Sequence, residues 1–317
     1  MSDGWSYRCE SVKHGTQVGR PGGASSPARN AWLCFVEARP QVQGVYLLRF
    51  AVGIAGVSAT AGPVGVGQLA AGALTWWAVV ISTYLFNGVT DVLEDVANAS
   101  QRPIARGELA VHTARWVSVA TAITALLMAA VAGREMWCWT FAFLTLGWVY
   151  SAPPLAAKRW SLSSSVVIFG LGWASYAAGA AAGGGGFGRT EQVFCASMAT
   201  WMALVGAVVK DLSDAHGDAI GGRRTLAAQR GLSSARRLAI FGTTVVGVCA
   251  PIASLLWAPL ALFGTLPLTA GALWVMALCA RANDYDLKAR RCGYRAFMAT
   301  QYAANLAMLG TLLVRAV

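Results

Sequence analysis

The sequence predicts an all-α, polytopic membrane bundle of about nine transmembrane helices, and three observations carry that reading. The chain of 317 residues is 56% hydrophobic and only 12% charged, half the ~25% charged content of an ordinary soluble domain. Its mean hydropathy is +0.52. Apolar runs of roughly 20 residues, enough to cross ~30 Å of hydrocarbon as helix, recur along it, with the basic residues gathered on one side of them.

The runs lie near 41–62, 66–90, 113–132, 135–152, 162–182, 192–211, 235–255, 258–280 and 296–316. Only Trp257, Ala258 and Pro259 part the seventh from the eighth, so eight long helices is the competing count. The N-terminal tail and the loops after spans two, four, six and eight hold 21 of the 25 Lys and Arg. By the positive-inside rule the N-terminus and those loops belong in the cytoplasm. The same bias accounts for the net charge of +11 without nucleic acid, since no basic–aromatic motif of a nucleic-acid module is present. Residues 1–40 are polar and lack the apolar core of a signal peptide. They read as a largely disordered cytoplasmic tail, with a short interfacial helix near Trp32 to Val36, ahead of a membrane domain spanning 41–317. Seven scattered cysteines form no C-x-x-C pair, so neither zinc nor a disulfide framework is indicated.

The acids are distributed unevenly. Of 14 carboxylates, six lie in two short stretches that close apolar runs: Asp91, Glu94 and Asp95, then Asp211, Asp214 and Asp218. Asn87, Asp91 and Asp95 fall at i, i+4 and i+8, and the second set at i, i+3 and i+7, so each set shares one helical face. Like charges so placed repel, and carboxylates beside a bilayer are costly. A bound Mg²⁺ reverses the sign, since it takes oxygen ligands and completes its shell with water and phosphate oxygens. Two facing clusters therefore point to a diphosphate bridged by metal between two helix ends. Solvated helix termini are the plainer alternative, but they do not explain two recurrences at helical spacing, each followed by basic residues and glycine.

Those following segments carry candidate phosphate contacts. Arg102, Pro103, Arg106 and Gly107 follow the first cluster; Gly221, Gly222, Arg223 and Arg224 follow the second. Between them, Tyr150-Ser151-Ala152-Pro153-Pro154 and Lys158 end the fourth span, where the prolines stop the helix. Tyr150 and Lys158 then lie at the same membrane surface as the acids. Arg49 sits inside the first span, and an intramembrane charge is a functional candidate by default.

Asn87-x-x-x-Asp91-x-x-x-Asp95 with Arg102-Pro103-Ile104 and Gly107 resembles the first signature of the UbiA superfamily of intramembrane prenyltransferases. Tyr150-Ser151-x-Pro153-Pro154 with Lys158 is similar to its middle motif. Lys210-Asp211-x-x-Asp214-x-x-Gly217-Asp218, then Gly222 and Thr225-Leu226, is similar to its second aspartate motif. One departure is Gly88, where many members carry Asp. The resemblance implies a central cavity open to lipid, capped on the cytoplasmic side by the motif loops, and Mg²⁺-dependent ionisation of an isoprenyl diphosphate (geranyl, farnesyl or geranylgeranyl). The expected metal ligands are Asn87, Asp91, Asp95, Asp211, Asp214 and Asp218. Asp91, Asp95, Asp214, Asp218, Lys158 and Tyr150 are the expected catalytic groups, and Asn87, Arg102, Arg224, Lys210, Arg49 and Tyr84 the substrate contacts. His216, inside the second cluster, is as consistent with a solvated position. The cation then either meets an aromatic or other small lipophilic acceptor or closes on its own double bonds, as in UbiA-type terpene cyclases; the high tryptophan content and the scarcity of acceptor-binding cations lean toward the latter.

Overall fold

The computed structural model describes residues 26–62, 64–281 and 287–316, and among them every regular element is helical. Trp160 and Arg224 form an isolated parallel bridge. Helix α1 (Pro27–Glu37) precedes the long helices; Ser26 caps it by accepting from the Arg29 amide at 3.3 Å. Then come α2 (Pro40–Ala61), α3 (Val66–Thr90), the short α4 (Val92–Ala97), α5 (Val111–Ala132), α6 (Arg134–Ser151) and α7 (Ser161–Ala182). The second half holds α8 (Arg189–Ile220), the short α9 (Leu226–Arg230), α10 (Leu232–Trp257), α11 (Leu262–Arg281) and α12 (Leu287–Ala316).

Among the described residues, eight helices are long and apolar enough to cross a membrane. The expected span at 135–152 is α6, which falls outside that group because Arg134 and Glu135 open its 18 residues. It nonetheless packs within the bundle against α3, α5 and α7. Pro259, whose ring suits a first helical turn, opens the turn Pro259–Ala261 and parts α10 from α11. Two expected boundaries shift. Helix α8 continues past 211 to Ile220, carrying the whole second acidic cluster. The packed domain begins at Pro27 rather than 41, since α1 buries Leu33, Cys34 and Glu37; residues 1–25 of the expected tail lie outside the described residues.

The centre of the bundle is aromatic. Trp76 stacks on Phe50 at 5.8 Å and meets Phe143 edge-on at 4.9 Å, and Phe143 meets Tyr46 at 5.4 Å, geometries that suit the ring quadrupoles. Helices α2 and α7 cross where small residues let their backbones touch. A Cβ on Gly53 would stand 2.1 Å from the Tyr176 carbonyl oxygen, and one on Gly179 would stand 2.0 Å from that of Phe50. Neither neighbour is a side chain that can swing away. We expect Gly179→Val to cost about 1–3 kcal/mol of stability, read as a lower thermal-unfolding midpoint in detergent. Gly310→Ala on α12, where an added Cβ meets nothing within 4 Å, should stay within about 0.5 kcal/mol of the parent.

Candidate active site

The two acidic clusters meet at one end of the bundle, joined by a loop from each half of the chain. Helix α3 stops at Thr90, and Asp91 (φ −103°, ψ 10°) is the hinge into α4. Asp211, Asp214 and Asp218 ride on the continuous α8. The Asn98 side chain clasps the two segments: its Nδ2 donates to the Asp214 carbonyl at 3.2 Å, and its Oδ1 accepts from the Gly217 amide at 2.8 Å.

Asp91 is the most heavily engaged of the acids. Its Oδ1 accepts from Lys158 Nζ at 2.7 Å and from Arg223 Nη2 at 2.5 Å. Burial alone would raise its carboxyl, but Lys158 and then Arg223 outweigh it and hold Asp91 well below the usual carboxylate range. Lys158, in the turn Ala157–Arg159, also donates to Thr90 Oγ1 at 2.7 Å. Burial pushes its ammonium below the ordinary lysine value, with Asp91 opposing. Arg223 spans both clusters, reaching Glu94 Oε1 at 3.4 Å and Asp218 Oδ1 at 3.3 Å as well. Asp214 pairs with Lys210 at 3.0 Å and accepts from Ser213 Oγ at 2.9 Å.

Asp95 belongs to a different arrangement. Arg102 Nη1 binds it at 2.8 Å, while Arg102 Nε meets Glu37 Oε1 at 2.8 Å and Nη2 donates to the Glu37 and Tyr84 carbonyls. Glu37 Oε2 accepts from the Ile104 amide at 2.9 Å. The end of α1 thus fixes the loop that follows the first cluster. Gly88 makes room for this pair: a Cβ there would lie 2.2 Å from Glu37 Oε1 and 2.4 Å from Arg102 Nη2.

Below these charges a cavity descends into the bundle. Asn87, Tyr150, Lys210 and Arg39 line its upper part, Tyr84 and Tyr294 its wall, and the buried Arg49 and Gln301 complete the lining. Helix α8 shapes this wall with a π turn at Met202–Gly206, the kind of local widening often found beside functional sites.

Several expectations change. Asn87, Asp91 and Asp95 do not form one ligand set on a continuous helix, because the chain bends at Asp91; Asn87 instead points into the cavity and donates to Ser151 Oγ at 3.4 Å. Arg102 is spent on Glu37 and Asp95 and does not line the cavity. Arg224 is exposed and stacks on Trp160 at 4.9 Å; its neighbour Arg223 is the one that turns inward. Asp211 makes no ion pair among the described residues, and His216 is exposed. Trp116, Trp137, Trp148 and Trp274 are exposed on the outside of the bundle, and no tryptophan lines this cavity, whereas Tyr84 does. Sequence reasoning named Arg223 beside Arg224 but gave the substrate contact to Arg224, and it missed Glu37, Asn98 and Arg39. Only Arg39 left a visible signal, an arginine directly before a helix-opening proline.

The donor set fits magnesium. Every candidate ligand is an oxygen, and Asp218 Oδ2 is buried without a hydrogen-bond partner, an acceptor left over for a cation. No group of three His, Cys, Asp or Glu stands ready to hold a metal among the described residues. That suits an ion which takes one or two carboxylates and completes its shell with phosphate oxygens and water.

This fold and site define an integral, multi-pass membrane protein with a charged cap over an internal cavity. The chain belongs to the UbiA prenyltransferase family, whose model matches residues 47–300. It is 29% identical over 285 residues to digeranylgeranylglyceryl phosphate synthase of Ignicoccus hospitalis, covering 86% of this chain and 89% of the relative. It is 33% identical over 172 residues to probable homogentisate phytyltransferase 2, chloroplastic, of Oryza sativa subsp. japonica, covering 50% of this chain. The chain spans 42% of the length of that rice protein. A UbiA homologue from Archaeoglobus fulgidus, solved with GPP and Mg²⁺, shares the fold at TM-score 0.65 and 18% identity, covering 86% of this chain and 99% of that one.

The Glu37–Arg102 pair yields a sharp expectation. Glu37→Ala leaves Arg102 to Asp95 alone and strips the Ile104 amide of its acceptor, and should cost about 1–3 kcal/mol, with faster hydrogen exchange in residues 98–109. Protection there equal to that of the parent chain would show that Glu37 does not hold the loop.

Proposed function

We infer that this protein is a Mg²⁺-dependent intramembrane prenyltransferase, ionising an isoprenyl diphosphate and passing the prenyl group to a small lipophilic acceptor, aromatic in the first instance. The observation that carries the reading is the joining of the two acidic clusters by Arg223 above a cavity that descends into the bundle. The family and the GPP- and Mg²⁺-bound neighbour from Archaeoglobus fulgidus support the substrate class and the ion. The basic bias supports a cytoplasmic N-terminus and cytoplasmic motif loops.

The residues divide the work by position. Asp91, Asp95, Asp214 and Asp218 are the candidate ligands, one or two of which at a time would hold an ion, which when bound supplies Lewis-acid neutralisation of the diphosphate. Lys210, Arg39 and Asn87 face the upper cavity, where their donors would meet diphosphate oxygens, and Tyr150 adds a hydroxyl. Lys158 is a positioning residue: it fixes Asp91 and is itself enclosed. The prenyl chain would extend past Tyr84 among Ile168, Leu171, Met202 and Phe297, a wall without water-like nucleophiles. Aromatic faces there favour an allylic cation by about 0.5–2 kcal/mol. Two observations support a transferase over a cyclase. No tryptophan lines the cavity, and the Arg49 side chain is among the groups around it, where its charge would disfavour a cation that had to linger.

The test incubates membranes with Mg²⁺ and geranyl, farnesyl or geranylgeranyl diphosphate, with and without an aromatic acceptor such as a hydroxybenzoate. We expect the diphosphate to remain intact until acceptor is added, and Asp91→Asn to lower turnover by about 100-fold or more. A cyclic hydrocarbon formed without acceptor would select the cyclase instead. Turnover unaffected by EDTA would remove the metal mechanism.

A further inference from the structure

Helices α6 and α8 both end at the charged cap, so their first turns stand at the opposite end of the bundle. Those turns carry Arg134, Glu135 and Arg189. All three side chains are exposed, and none makes an ion pair among the described residues. Two grooves descend from this end, one on either side of an aromatic ridge. The ridge is Trp173 on α7 with Phe187 from the loop before α8, edge-on at 5.4 Å, and both rings line both grooves.

The first groove, about 440 Å³, runs between α8 and α10, with Ala196, Ser197 and Thr200 on one side and Ala253 and Trp257 on the other. Helix α10 has Pro251 inside it, and α8 enters its π turn two residues below Thr200. Both devices bend a helix away from regular packing, which leaves the space open. Positions 189, 192, 196 and 200 keep to one face of α8, so Arg189 stands above this groove. The second groove, about 560 Å³, lies between α6 and α7, and Arg134 and Glu135 are part of its lining.

Dimensions select the occupant. Gln192 to Thr200 is about 12 Å along α8 and Val245 to Trp257 about 18 Å along α10, the depth of one leaflet of a hydrocarbon core ~30 Å thick. A volume of 440 Å³ over that depth leaves a cross-section of about 30 Å². A helix, about 10–12 Å across, does not fit; a single hydrocarbon chain does. Two such grooves astride one ridge therefore match a two-tailed lipid rather than a partner helix.

We propose that a glycerophospholipid with an ethanolamine headgroup seats here, one tail in each groove, with its phosphate at Arg134 and Arg189 and its ammonium at Glu135. Guanidinium groups pair well with phosphate oxygens, and the carboxylate accepts from the ammonium. A choline headgroup has no N–H to donate, and a glycerol headgroup brings no cation to Glu135. The lipid fills the space that α8 and α10 leave open beside the π turn, and so braces the helix that carries the second acidic cluster. The site stands at the far end from that cluster and is independent of how the reaction is read.

The experiment titrates the full chain, washed free of lipid in detergent, and counts bound lipid by native mass spectrometry. The probes are dioleoyl phosphatidylethanolamine, phosphatidylcholine and phosphatidylglycerol. The parent chain should retain one phosphatidylethanolamine about 10-fold tighter than either of the others. Arg134→Gln and Arg189→Gln should each weaken it about 2- to 10-fold, the range of a hydrogen bond in reach of water. Glu135→Gln should erase the preference over phosphatidylglycerol, and Ser197→Phe, which fills the first groove, should weaken all three lipids. Arg315 is exposed on α12 at the same end, and Arg315→Gln should change nothing. The exposed substitutions should leave the unfolding midpoint of the lipid-free chain in place, which separates lost lipid from lost fold. Equal retention of the three lipids by the parent would overturn the site, as would a loss in Arg315→Gln matching that in Arg134→Gln. A dimer that binds no lipid and that Ser197→Phe dissociates would give the groove to a second copy and also overturn it.

Discussion

The arrangement at the charged end depends on Asp91. One carboxylate, almost closed off from solvent, receives Lys158 from the turn after α6 and Arg223 from the loop after α8. Three segments far apart in sequence are tied at a single oxygen. Removing ions from water costs several kcal/mol each, and only good geometry with further hydrogen bonds recovers it. Arg223 meets that condition by reaching Glu94 and Asp218 too, and Lys158 by its bond to Thr90. The clusters are therefore held at their mutual distance by cations of the chain itself. A diphosphate with its metal brings both signs of charge to this knot, so it can exchange partners there without creating an isolated buried ion.

How much of this was legible in sequence follows from what periodicity can encode. The spans, the acidic clusters and the side of the bundle on which the basic residues gather are all patterns along one chain, and the helices and the clusters emerge close to where those patterns place them. The inward arginine is not such a pattern. Arg223 and Arg224 are adjacent and chemically identical, and the choice between them rests on the bend at Gly221 and Gly222, with Gly222 at φ 70°, and on the backbone bond from Arg224 to Arg159 at 2.6 Å. Glu37 was hidden for another reason. It closes a polar segment that looks like tail, and its burial becomes intelligible only once Gly88 is seen to vacate the space it fills. A gap in one motif and an acid fifty-one positions earlier carry no common period. The helix α6 shows the opposite case, since its apolar run at 135–152 was legible in sequence and its place against α3, α5 and α7 is set by packing.

The cavity itself is electrostatically two-ended, and that asymmetry bears on its chemistry. Near the acidic clusters, every cation has an anion beside it, and the balance can be redrawn by an incoming diphosphate. At the other end, Arg49 has an amide oxygen and a tyrosine ring for company. A charge at the centre of a membrane helix costs about 2.5–3.5 kcal/mol on insertion scales, and a desolvated cation–π contact offsets about 2 kcal/mol or more of it. The two ends of the cavity therefore differ in kind. Asp91 with Lys158 and Arg223 forms ion pairs whose partners an incoming anion and cation can exchange. Arg49 makes no ion pair among the described residues and is held by an amide and a ring that cannot leave it without exposing a bare charge.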